Sequence, residues 1–180
     1  SERVTRVEGS EFYQERYTLK LEGAAFSGFQ TVAIGGVRDP YILARVDSWL
    51  AEMKLFFAER LKELTGKTLG EEVQIDIAQY GRNAVMGKLE PLLEQIPHEL
   101  GLLFTVTAPE QTLANDVARF VTHAASHWPI SEWDGFISAI AFPFSPPEID
   151  RGPVYRFTLN HVLIPESPLS AFRFEIEDFQ

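Results

Sequence analysis

Residues able to do chemistry are few in this chain, and they are scattered. Tyr80-Gly81-Arg82-Asn83 follows an alternating run, Val73 to Tyr80, and loops after strands often carry binding groups. Gly81 would let the backbone pass close to a ligand. The planar fork of Arg82 matches a carboxylate or phosphate in bidentate fashion. The competing reading is a plain turn, with Asn83 left-handed and Arg82 in water. His161 completes the candidate set for a small acidic ligand. It shares the phase of Tyr155, Phe157 and Leu159, so it also reads as a histidine of a core or an interface.

Two other constellations point to structure instead. His123 and His127 stand four apart on a helical pattern and could face one metal. They lack the adjacent glutamate of a metalloprotease and sit in the last helical turn, where a histidine suits the helix dipole. No metal or cofactor is expected. Arg38-Asp39 could be a binding pair, but Asp39 before Pro40 is more economically a helix cap. The chain has no phosphate-cradling glycine loop and no nucleophile elbow. With no cysteine, thiolate chemistry and disulfides are excluded.

Regular elements must position these groups. Residues 16–37 read as a hairpin around a Ser27-Gly28 turn. Ile42, Val46, Trp49, Leu50, Met53, Phe57, Leu61 and Leu64 recur at three- and four-residue spacing, which predicts one long helix over 39–65, capped by Asp39 and stopped at Gly66. Residues 73–164 supply the remaining strands, including Leu102 to Thr107, Phe136 to Phe142 and Val154 to Ile164. A second helix starts at Pro109, with Leu113, Val117, Phe120, Val121 and Ala124 on one face. Leu169, Phe172, Phe174 and Ile176 predict that the tail, 165–180, is packed. The result is a single α+β domain over 1–180. It is a two-layer sandwich with a mixed or antiparallel sheet and two main helices on one face. The element order is ferredoxin-like β-α-β-β-α-β, with extra strands.

Composition narrows the functions. Sixteen basic against 26 acidic residues leave a net charge of −10, which disfavours the phosphate backbone of nucleic acid. No apolar run reaches membrane-span length, and nothing at the start reads as a signal peptide. A cytoplasmic location fits.

Three segments carry a family resemblance. They are Gly35-Gly36-Val37-Arg38-Asp39-Pro40, Tyr80 through Gly87, and the stretch from Ala141-Phe142-Pro143-Phe144-Ser145-Pro146 through Gly152-Pro153-Val154-Tyr155-Arg156-Phe157 to Asn160-His161-Val162. In these the chain resembles the acyclic terpene utilisation A family, catabolic proteins of terpenoid and acyl-chain breakdown. The resemblance implies the C-terminal part of a longer protein, partnered by a second copy or by a preceding region. It supplies no catalytic residues. Two functions follow as expectations: a ligand or subunit interface that is not catalytic alone, or one part of an active site for acyl or terpenoid acids.

Overall fold

A computed structural model describes residues 3–132 and 139–177. Among them are four strands and three α-helices, a mixed α+β architecture with an antiparallel sheet. Strand β1 is Leu19–Val37, followed by α1 (Pro40–Leu43), α2 (Val46–Thr65), β2 (Gln74–Tyr80), β3 (Leu100–Ala108), α3 (Gln111–Ser126) and β4 (Ile149–Leu163). The sheet order is β2-β3-β1-β4, which leaves β2 and β4 as edges. The chain divides into two compact units: residues 26–156, and residues 1–25 with 157–180.

Among the described residues, the core lies in the larger unit. Along β1, Thr31, Ala33, Gly35 and Val37 are buried. The register sets them opposite Val106, Phe104, Leu102 and Leu100 of β3. Ile75 and Ile77 of β2 stand opposite Val106 and Phe104, so one sheet face is continuous and apolar. Small residues oppose large ones across the β1–β3 pair: Gly35 faces Leu102 and Ala33 faces Phe104. The space over Gly35 is filled from the segment after α3, since a Cβ there would stand 2.3 Å from Cγ2 of Ile140. On the opposite face Ile34, Gln74 and Asp76 are exposed while Val32, Leu103 and Thr105 are half-buried, partial solvent contact that an antiparallel sheet tolerates.

Both long helices bury one stripe in the same core: Val46, Trp49, Leu50, Met53, Phe57 and Leu61 of α2, and Ala114, Val117, Ala118, Val121 and Ala125 of α3. They meet through aromatic rings, Phe120 lying 5.7 Å from Phe57 and 5.8 Å from Phe56. A polar clasp ties α3 to the sheet. Gln111 Nε2 donates to Thr31 Oγ1 at 2.8 Å and to Asn115 Oδ1 at 2.9 Å, and Thr31 donates in turn to Asn115. Because Thr31 is fully buried, its hydroxyl requires such partners.

The helix ends follow the sequence. Asp39 Oδ1 accepts from the backbone N–H of Tyr41 at 2.8 Å and of Ile42 at 3.2 Å. Gly66 closes α2 in the left-handed region at φ 71°, its N–H on the Lys62 carbonyl. The helix between them is not continuous as expected. It breaks at Ala44 and Arg45, where the Arg45 N–H bonds back three residues to Ile42 O and its guanidinium stacks 3.8 Å over the Tyr41 ring. One tightened turn leaves the apolar stripe in phase, so periodicity alone does not reveal it.

Three further expectations are corrected. The 16–37 hairpin is a single strand of 19 residues. Gly28 makes no turn. It allows a close approach instead, since a Cβ there would lie 2.7 Å from the Ala108 carbonyl oxygen. No extra strand is found among the described residues. Of the strand expected over Phe136–Phe142, residues 136–138 lie outside them, and in the described remainder Ala141 makes an isolated antiparallel bridge to Gly36. The described part of the tail, 165–177, is not packed: Leu169, Phe172, Phe174 and Ile176 are all exposed.

The smaller unit is a different kind of object. No described residue in it is buried. Its parts of β1 and β4 lie close, a Cβ on Gly23 standing 3.1 Å from Leu159 Cβ. Yet Phe12, Tyr13, Tyr17, Phe157, Leu159, Val162 and Ile164 expose their side chains.

Candidate functional site

The Tyr80–Asn83 segment forms the turn that leaves β2. The N–H groups of Arg82, Asn83 and Ala84 converge on the Gln79 carbonyl at 3.2, 3.2 and 3.0 Å. Gly81 takes the positive φ of 97°, a conformation that costs glycine little. Its Cα approaches the Glu99 carbonyl, so a side chain there would crowd β3's entry. Asn83 is not left-handed as the turn reading has it, because Gly81 absorbs the bend. Tyr80 is half exposed.

Arg82 finds its bidentate carboxylate within the chain. Nη1 meets Asp47 Oδ1 at 2.5 Å and Nη2 meets Asp47 Oδ2 at 2.8 Å. Nη1 also donates to Gln79 Oε1 at 3.1 Å, and Nε to the Leu93 carbonyl at 3.3 Å. The arginine side chain is 13% exposed and that of Asp47 is 68% exposed. Asp47 lies in the first turn of α2, where the helix dipole favours its charge. The arginine therefore fastens three places: the start of α2, the end of β2, and the 81–99 connection. Sequence reasoning missed Asp47, Gln79 and Leu93. Asp47 is 35 positions away, and no local pattern links it to Arg82.

The hydrogen bond from Arg82 holds the Asp47 carboxyl below the usual carboxylate range; burial opposes it, and the arginine's charge and a hydrogen bond with Gln79 add smaller contributions in the same downward direction. Asp47 in turn pushes Arg82 upward. A depressed carboxylate pKa contributes stability at neutral pH that is lost as pH falls through the folded-state value. Acid titration should therefore lower the melting temperature of the wild-type chain below about pH 4 more steeply than that of Asp47→Asn. Parallel acid profiles for the two proteins would show that the pair contributes nothing.

Two open grooves flank Arg82. One, of about 590 Å³, is lined by Gly81, Arg82, Glu90, Leu92 and Gln95–Glu99. The other, of about 470 Å³, is lined by Leu43–Ser48, Arg82 and Leu93–Pro97. Both are confined to the larger unit. His161 belongs to the smaller unit and is exposed, so of its two readings, core or interface, the core one does not hold. The phase it shares with Tyr155, Phe157 and Leu159 is real, but that phase is uncovered.

His123 and His127 are exposed, their rings edge-on at 5.3 Å. Among the described residues no group of three or more potential metal ligands assembles. His123 lines a hollow of about 350 Å³ with Arg119, Thr122, Ser126, Phe142 and Glu148. There Thr122 Oγ1 donates to the Glu148 carboxylate. Among the described residues no helix is long and apolar enough to cross a membrane.

In comparisons with known proteins, no family model matches the chain, and neither a curated protein nor a solved structure matches it significantly.

Proposed function

We propose that this chain is a binding and assembly domain of a cytoplasmic catabolic protein of the acyclic terpene utilisation type, not catalytic alone. The catabolic part of the reading is supported by the resemblance of the Gly35–Pro40, Tyr80–Gly87 and Ala141–Val162 segments. The assembly part is carried by one observation: the smaller unit buries none of its described residues while presenting more than a dozen large apolar side chains. Apolar side chains exposed in such number are a feature of interaction sites. Strand β4 is a sheet edge whose unpaired backbone groups can accept another strand. A second copy supplies such a strand, and a two-fold axis would pair like edges.

The fold has a finer reading as well. With α1 and α2 taken as one crossover, the order is β-α-β-β-α-β. That order, together with the sheet order β2-β3-β1-β4, supports a ferredoxin-like arrangement in which two helices cover one face.

Catalysis requires groups within hydrogen-bond reach of one reacting atom. The most buried candidate, Arg82, spends its fork on Asp47. The isolated chain should thus give background rates only, when assayed for turnover of acyl-CoA thioesters and branched unsaturated acids. Turnover that disappears in Arg82→Ala or His161→Ala would overturn the non-catalytic reading. It would favour the alternative, a share in an acyl-acid active site, for which the grooves beside Arg82 speak.

A further inference from the structure

We propose that the Arg82 fork is a carboxylate-binding site held closed by Asp47, opened when a small monocarboxylate with an apolar tail takes that residue's place. The proposal stands apart from the assembly role of β4 and concerns the larger unit alone. Its first support is orientation. The Gln79 and Leu93 oxygens hold the guanidinium through Nη1 and Nε, so the fork keeps its aim when Asp47 leaves. An arginine fixed in this way is prepared for a planar carboxylate.

The second support is the ease of the exchange. An incoming carboxylate restores both hydrogen bonds that Asp47 gives up, at the same two nitrogens. Asp47, already 68% exposed, needs little further solvation and keeps its favourable place in the first turn of α2. Nothing in that swap leaves a buried charge unpaired.

The third support is the surroundings. The two grooves share Arg82, Gln95, Ile96 and Pro97, and Leu92 and Leu43 add apolar surface for a tail. Their sizes fall in the range of about 300–1,000 Å³ usual for small-molecule sites. Charge then selects within the class of anions. Glu90 and Glu99 line one groove and Glu94 the other, and Asp47 remains nearby after release. A monoanion meets less repulsion there than a phosphate ester or a dicarboxylate.

The test is calorimetric titration of the whole chain with octanoate, octyl phosphate and octanol. An internal competitor lowers apparent affinity by the fraction of time the site is open. Asp47→Ala should therefore bind octanoate about tenfold or more tightly than wild type, if the fork is free in at most about one molecule in ten. Octyl phosphate should bind more weakly than octanoate, and octanol should not respond to the substitution. The Asp47→Ala/Arg82→Gln double variant should lose the gain. Asp47→Asn, which preserves shape and weakens the hold on Arg82, serves if the alanine variant does not fold, and should shift affinity in the same direction. Octanoate affinity unchanged in a folded Asp47 variant, or retained in the double variant, would overturn the proposal and leave the pair as a structural clasp. Neither result bears on self-association, which is read from mass.

Discussion

Phe57→Ala is expected to destabilise the chain by about 3–5 kcal/mol, the usual cost of deleting a fully buried aromatic ring. The ring is wholly inaccessible, and it meets Phe120 edge-on at 5.7 Å. Removing it opens a void where α2, α3 and the sheet converge, and the neighbours cannot close that void without shifting a helix. With total stability of a domain at about 5–15 kcal/mol, the loss is a large fraction. Phe56, partly exposed on the next position, should cost distinctly less. Urea denaturation monitored by circular dichroism measures both. A Phe57→Ala cost below about 1 kcal/mol would mean that the helices do not share one core.

The second large effect is expected at Gly28, and it separates two readings of the same residues. In a hairpin turn, asparagine would replace this glycine at little cost. In the observed strand, φ is +136° and the Ala108 carbonyl oxygen lies 2.7 Å from where a Cβ would stand. Gly28→Asn should cost about 1–3 kcal/mol through backbone strain. Overpacking should add about 1–3 kcal/mol. A neutral substitution would restore the turn. Denaturant midpoints of the two proteins decide the matter.

What the sequence made legible was local. The Asp39 cap, the Gly66 stop, the buried stripes of α2 and α3, and strands β2 and β3 all follow from spacing and single-residue preferences. The misreadings have a common physical cause. Gly28 looks like a turn because glycine serves both bends and close approaches, and only the neighbouring β3 tells them apart. The helix break at Ala44–Arg45 keeps the apolar phase and so leaves no trace in the periodicity. Alternation along β4 groups Tyr155, Phe157, Leu159 and His161 on one face, but alternation cannot say whether a face is covered. The same holds for the tail, where Phe172 and Phe174 point to packing and stand exposed. At the candidate site, Gly81 and Arg82 were visible as a turn and a cation. The carboxylate that occupies Arg82 was not, since long-range pairing is set by topology.

The central claim is that the smaller unit's uncovered apolar side chains are an interface. Sedimentation equilibrium of the whole chain over a wide concentration range tests it most directly, beside Phe157→Lys, in which a charge enters the exposed edge strand. Phe157 is 78% exposed, so the substitution should leave the fold intact. Wild-type mass should rise with concentration toward twice that of the 20.4 kDa chain, and Phe157→Lys should stay at the lower mass throughout. A wild-type chain that remains at 20.4 kDa at every concentration, or a variant that associates as well as wild type, would contradict the claim.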